Sequence, residues 1–342
     1  MKPRIFVLYT GGTIGMVSAT PDTGAFTALV PQTQVPWQHY LPPAVMQQVE
    51  LSFANLPSII DSADAEPQHW ATIAQHIAQV YAEFDGFVVL HGTDTLAYTA
   101  SALAFMLVNL NKPVVCTGSQ LPISHPQSDA VYNLIQAIRV AADPPALPEV
   151  FLVFHQRVLR GCRSRKLSST ALDAFDSPSY PAFSLPLLGR ADSVLLPPLV
   201  LQDQMVPVLD ISCYPGLNWQ PWAHCAATFP PIQGIVLRGY GSGNLPQRAM
   251  AVIEQWLAAG VVVVMVSQCW HAQVNLATYQ TSAHYAAAGV VSGMDMTPEA
   301  ALTKLSWLLA YYPPAQVKTL MVTNLRGELS MGQSLASQKC QR

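Results

Sequence analysis

Four residues, in three separated stretches, have the types that nucleophilic chemistry needs. Thr13 follows a double glycine in VLYTGGTIGM (7–16), Thr93 and Asp94 are adjacent in HGTDT (91–95), and Lys166 closes GCRSRK (161–166). A threonine hydroxyl is a weak nucleophile until a base takes its proton. A lysine held between a hydroxyl and a carboxylate can hold that proton or lend its neutral form. Desolvation lowers a lysine's pKa and a nearby carboxylate raises it, so the resting state of such a lysine stays open. Each piece alone has a plain structural explanation: a turn threonine, an aspartate capping the helix from Leu96, a solvated lysine. The four together point to a Thr–Lys–Asp relay.

The glycines beside Thr13 invite a second reading, a loop that cradles a phosphate. GGTIG contains neither G-x-x-x-x-G-K-[ST] nor G-x-G-x-x-G, and no acidic residue in a ribose-binding context follows it. Nucleotide binding is not expected. Gly11 and Gly12 make a tight turn under either reading.

These residues must be positioned by the elements that precede them. Short apolar runs read as buried parallel strands: IFVLY (5–9), GFVVLHG (86–92), PVVCTGS (113–119), VFLVFH (150–155), GIVLRGYG (234–241) and VVVVMVSQ (261–268). None keeps the polar alternation of a half-exposed strand. Helical spacing falls between them at 97–110, 130–142, 248–259 and 299–311, with the first apolar nearly all round. Strand–helix alternation predicts an α/β fold with a mostly parallel sheet. In such sheets ligands gather beyond the carboxyl ends of the strands, where TGGTIGM, HGTDT and GSQLP all fall.

The chain has 342 residues, 51% of them hydrophobic and 11% charged, with a formal net charge of −3. Domains run roughly 100 to 200 residues, so two are expected. The expected division is an N-terminal α/β domain over 1–195, a proline-rich linker over 196–212 and a smaller parallel α/β domain over 213–342. SPSYPAFSLPLLGR and LLPPLVLQDQMVPV suggest a hairpin followed by an extended connector. Few, scattered basic residues argue against a nucleic-acid partner. The longest aliphatic run, at 260–268, is far below the ~20 residues that cross a bilayer. The apolar start at Ile5–Tyr9 is shorter than the roughly 7 to 15 residues of a secretory signal core. Six cysteines without a CxxC pair fit a reduced, cytoplasmic protein. His125, His155 and His271 have no metal-ligand spacing.

The sequence resembles the bacterial-type L-asparaginases of the asparaginase/glutaminase family, and within them the cytoplasmic type I branch. TGGTI stands at Thr10–Ile14 and HGTDT at His91–Thr95. GSQ (118–120), SDAVYNL (128–134), GCRSRK (161–166), MDMTPEAALTKL (294–305) and NLRGEL (324–329) follow in order. The resemblance covers nearly the whole chain. It implies an amidohydrolase that turns L-asparagine into L-aspartate and ammonia through an acyl-enzyme on Thr13. Thr93, Asp94 and Lys166 would form the second catalytic group. Backbone N–H groups around Gly92 and Thr93 would stabilise the oxyanion. Gly12, Asp61, Ser62, Gly92 and Ser119 would line the substrate site, with Asp61 and Ser62 on the α-amino and α-carboxylate groups. His91 is expected to pack behind its turn. The chemistry needs no metal or organic cofactor, and family members assemble as homodimers or homotetramers.

Two features depart from the family pattern. The family's loop tyrosine after the first strand has no counterpart between Tyr9 and Tyr40, and the nearest aromatic is Phe26. Some type I members also carry an activating second asparagine site, whose residues match Arg238, Asn244 and Cys269. Arg165 stands before the lysine where those members have a small residue. Two alternatives accompany the enzyme reading. One is an asparagine-binding sensor without turnover. The other is the ammonia-generating subunit of a tRNA-dependent amidotransferase, which the early position of TGGTI disfavours.

Overall fold

Apolar, β-branched runs become the centre of a six-stranded sheet. Its strands are β1 (Arg4–Gly11), β2 (Glu50–Ile60), β3 (Gly86–Leu90), β4 (Val114–Thr117), β5 (Val150–Phe154) and β6 (Arg157–Arg160). The structure, a computed structural model, describes residues 1–18, 29–143, 148–184, 197–223, 232–276 and 280–330. Phe26, Cys225, Cys340 and residues 185–196, which include the end of the expected hairpin segment 177–190, lie outside that set.

The strand order is β2-β1-β3-β4-β5-β6, parallel throughout except for the antiparallel β5–β6 pair. β3, β4 and β5 are buried along their whole length, as strands covered on both faces must be. Ile5, Val7 and Leu8 of β1 are likewise fully buried. The order in which strands are added reverses at β1: the next strand, β2, lies on one side of it and β3 on the other. An open parallel sheet binds ligands at that switch point, beyond the carboxyl ends of the two strands. TGGTIG leaves β1 there, and HGTDT leaves β3 beside it.

The helix Leu96–Met106 is buried on all faces except at Tyr98, in line with its all-round apolar sequence. It is shorter than the apolar pattern predicts. Leu107–Val108 leaves it to pair antiparallel with Val200–Leu201, because β-branched Val108 and the left-handed Asn109 favour leaving the helix. The helix Ala130–Ala142 packs its apolar face on the sheet through Leu134, Ala137 and Ile138.

The chain divides into two compact units, Met1–Gln204 and Met205–Arg342. The second holds four parallel strands in the order β7-β8-β9-β10: Val208–Ser212, Gly234–Gly239, Val262–Ser267 and Val291–Ser292. Here the structure departs from the linker expected over 196–212. Val208–Ser212 is an edge strand of this sheet, registered from Val208↔Gly234 to Ser212↔Arg238. Its partial exposure and a central Asp210 remove the continuous apolar run that marks its neighbours. Helices Met250–Ala258, Gln280–Ala288, Pro298–Tyr311 and Pro314–Met321 complete the unit.

Candidate active site

The turns after β1 and β3 are pressed together backbone to backbone. Gly12 has φ +88°, and a Cβ on it would lie 2.3 Å from Cα and N of Gly92. A Cβ on Gly92 would in turn lie 2.3 Å from Ser62 Oγ. Only glycine fits either place, so three chain segments meet at one point. Thr10 Oγ1 donates to Leu90 O at 2.9 Å, tying the end of β1 to the end of β3. Thr95 Oγ1 donates to Ser62 O at 2.7 Å, tying the third segment in. Asp61 opens a short 3₁₀ turn and accepts the N–H of Ala63 at 3.0 Å. Ser62 is buried and Asp61 exposed. Thr13 begins the 3₁₀ turn Thr13–Gly15 and is half-buried.

Lys166 reaches this edge from a ribbon outside the main sheet, in which Arg165–Lys166 pairs antiparallel with Phe175–Asp176. Its Nζ donates to Thr93 Oγ1 at 2.8 Å and to Asp94 Oδ1 at 2.6 Å. Hydroxyl, ammonium and carboxylate form one connected group from residues 73 apart in the chain. The ordinary explanations of Asp94 and Lys166 do not hold. The helix from Leu96 takes Thr95 as its N-cap with no side-chain capping bond, so Asp94 is not its cap. Lys166 has only 19% of its side chain exposed, whereas Asp94 keeps 67% and stays open to a ligand.

His91 is buried and closed off. Its Nδ1 lies 2.8 Å from Gly92 O, and a carbonyl only accepts, so Nδ1 carries the proton. Nε2 then accepts the Thr99 hydroxyl at 3.1 Å. Burial is the main cause that lowers the imidazole's pKa to about 4. A neutral ring with both nitrogens engaged supports the turn and offers no base.

Ser119 is buried with its hydroxyl engaged. It is 1% exposed and its hydroxyl donates to Leu121 O at 2.5 Å within its own turn. Its neighbour Gln120, which the sequence reading did not single out, takes the place beside Thr93. Gln120 Oε1 lies 3.5 Å from Thr93 Oγ1, and Nε2 donates to Ala171 O at 3.0 Å. The Asp129 carboxylate fixes this turn by accepting the N–H groups of Gln120 and Leu121 and Nδ2 of Asn133. The spacing S-D-x-x-x-N carried the Asn133 part of this, because Asp129 and Asn133 sit one helical turn apart.

Tyr9, the last tyrosine before that loop, points into the core. Its ring packs against Trp37 at 5.1 Å, and its hydroxyl is buried against the backbone of Gly15. Burial pushes its pKa up to about 12, so the phenol stays protonated.

Two family models account for nearly all of this chain. "Asparaginase, N-terminal" matches residues 4–187 and "Glutaminase/Asparaginase C-terminal domain" matches 208–321. The chain belongs to the asparaginase family. It is 38% identical to L-asparaginase 1 of Escherichia coli (strain K12), over 96% of this chain and 98% of that one. It is 34% identical to the L-asparaginase of Thermococcus kodakarensis, over 96% and 99% respectively. The crystal structure of L-asparaginase I from Vibrio cholerae matches with a TM-score of 0.85 at 36% identity, covering 97% of this chain and all of that one.

In this asparaginase-family chain, Arg238, Asn244 and Cys269 lie around one end of the second unit's sheet. The Arg238 guanidinium is forked on Asp210, with Nε 2.7 Å from Oδ1 and 3.0 Å from Oδ2. Asn244 closes a tight turn by exchanging backbone bonds with Tyr240 at 2.9 and 2.8 Å. Cys269 is exposed, its N–H bonded to Ser267 Oγ at 3.0 Å. Arg165 belongs to the first unit. No helix among the described residues is long and apolar enough to cross a membrane, and no cluster among them could hold a metal ion.

Proposed function

We propose that this chain hydrolyses L-asparagine to L-aspartate and ammonia, with Thr13 as the nucleophile. The observation that carries the reading is the Lys166 ammonium bridging Thr93 Oγ1 and Asp94 Oδ1, beside the point where Gly12 and Gly92 touch. The Thr13 oxygen attacks the side-chain carboxamide carbon, and the tetrahedral oxyanion is held by backbone N–H groups around Gly92 and Thr93. The C–N bond breaks and the amide nitrogen leaves as ammonia, taking a proton. Water then attacks the threonyl ester, releasing aspartate and restoring the hydroxyl. Thr93, Lys166 and Asp94 supply the proton relay for one or both attacks. The exposed Asp94 carboxylate also faces the substrate's α-ammonium, with Asp61 and Ser62 completing the grip on the α-groups.

The test is ammonia release from L-asparagine, with L-glutamine and Thr13→Ala run in parallel. Release from asparagine should fall by at least about a thousandfold in the variant while asparagine still binds. Binding without release by folded wild-type protein would overturn the enzyme and leave a sensor. Undiminished release by Thr13→Ala would overturn the nucleophile.

A further inference from the structure

Lys166 sits on a ribbon of only two paired positions, Arg165↔Asp176 and Lys166↔Phe175, extended by Leu167 N–H to Ala174 O at 2.7 Å. Two-stranded ribbons of this size are marginal by themselves. Leu167 and Leu172 are exposed, at 55% and 40%, so burial on that side does not hold it. Phe175 and residues 161–164 are buried, but burial sets no direction for an ammonium that bonds two partners at 2.6 and 2.8 Å.

Arg157, at the start of β6, meets the returning side of the ribbon with three bonds. Nε and one terminal nitrogen fork Asp173 at 3.0 and 2.9 Å, and the other terminal nitrogen bonds Asp176 Oδ1 at 2.7 Å. Asp176 is the residue paired with Arg165, one position from Lys166. The Asp173 hydrogen bond is the largest of the causes that raise the Arg157 pKa, so the fork stays charged. Phe175 packs on Phe154 at 4.9 Å, and Gln120 holds Ala171 at the far end of the same loop. Among these, only Arg157 joins two ribbon residues to the rigid sheet through directional bonds. Partly exposed ion pairs add little to stability, but a bidentate guanidinium fixes geometry.

We propose that Arg157 is a positioning residue: by clamping Asp173 and Asp176 to the main sheet, it sets the place of the Lys166 ammonium on Thr93 and Asp94. This inference rests on the hydrolase reading above. Arg157 touches none of the four reacting groups, so its loss acts through Lys166.

The experiment compares wild type, Arg157→Gln, Arg157→Lys and Asp173→Asn in kcat and KM for L-asparagine, with amide exchange at Leu167. Arg157→Gln should lower kcat by about ten- to a hundredfold with KM within about twofold, as expected when reacting groups lose alignment. Arg157→Lys restores charge without the fork and recovers part of the loss. Leu167 exchange should rise in Arg157→Gln and Asp173→Asn while exchange in β1 and β3 stays at the wild-type level. Unchanged kcat in a folded Arg157→Gln overturns the clamp. So does a loss of kcat accompanied by faster exchange throughout the sheet. Wild-type protein that releases no ammonia overturns the hydrolase reading instead, and Leu167 exchange then still decides whether Arg157 holds the ribbon.

Discussion

At the scale of single residues, the chemistry of the site depends on which protons are held and which are free. His91 is the clearest case. Its pKa falls from the ordinary 6.5 to about 4 on burial, so between those values the unfolded chain binds a proton that the folded chain refuses. Unfolding free energy therefore rises with pH across that window. The contribution is complete above about pH 6.5 and is lost as pH falls towards 4, amounting to about 3 kcal/mol over 2.5 units. Urea unfolding of wild type and His91→Gln at pH 7 and pH 4.5 checks this. The variant should lose less stability between the two pH values, and equal losses would place the acid sensitivity elsewhere. The His91 motif position was legible in the sequence, but its tautomer was not. That follows from Gly92 O and Thr99 Oγ1, and Thr99 comes from the next helix.

At the scale of elements, the contact between two strand-to-loop turns sets the site. Gly12 combines a positive φ with a backbone neighbour 2.3 Å from where a Cβ would stand. Gly260 supplies the control, since it has φ +84° and nothing within 4 Å of its would-be Cβ. Gly260→Ala should cost only the conformational term, about 1 kcal/mol. Gly12→Ala should cost that plus a forced separation of the turns, about 2 kcal/mol or more, and abolish turnover. Calorimetric midpoints of the two variants test the difference. Equal shifts would mean that the turns can part without strain. The glycines were visible in TGGTIG and HGT, and a tight turn was the natural reading of them. That the two turns touch each other was not visible, because 80 residues separate Gly12 from Gly92 and only the strand order brings them together.

At the scale of the whole molecule, a buried polar anchor holds the second unit together. In the second unit Lys304 and Glu328 are both fully buried and bonded at 2.5 Å. Lys304 also donates to Met321 O at 3.0 Å and Thr323 O at 2.6 Å, while Glu328 accepts from Leu325 and Arg326 N–H. The pair fastens the segment after Pro314–Met321 to the long helix Pro298–Tyr311. Glu328→Gln strands a buried ammonium and should cost about 3–5 kcal/mol. Lys304→Met with Glu328→Gln should recover part of it. Thermal unfolding of both variants is the measurement, and a single variant as stable as wild type would show that water or another group replaces the carboxylate. TKL and NLRGEL were recognisable as family segments, yet nothing in their spacing said that they form one ion pair.

What the sequence determined by itself is what local chemistry can carry. Continuous apolar runs specify buried strands, alternation with helical spacing specifies an α/β fold, and TGGTI with HGTDT identifies the family and the residues to watch. What tertiary structure decided lies between elements. The order β2-β1-β3 puts the two turns at one switch point. Gln120 stands beside Thr93, and the hydroxyl of Ser119, a residue expected to line the substrate site, bonds inward within the turn that Asp129 holds. Val208–Ser212 is a strand where a linker was expected, because an edge strand needs only one partner and tolerates Asp210. Arg157 reaches the Lys166 ribbon although its sequence neighbours say nothing of it. Periodicity reports which way a side chain faces along its own element. The partner it meets is set by how the chain crosses over between elements, and that choice is made by packing the whole sheet.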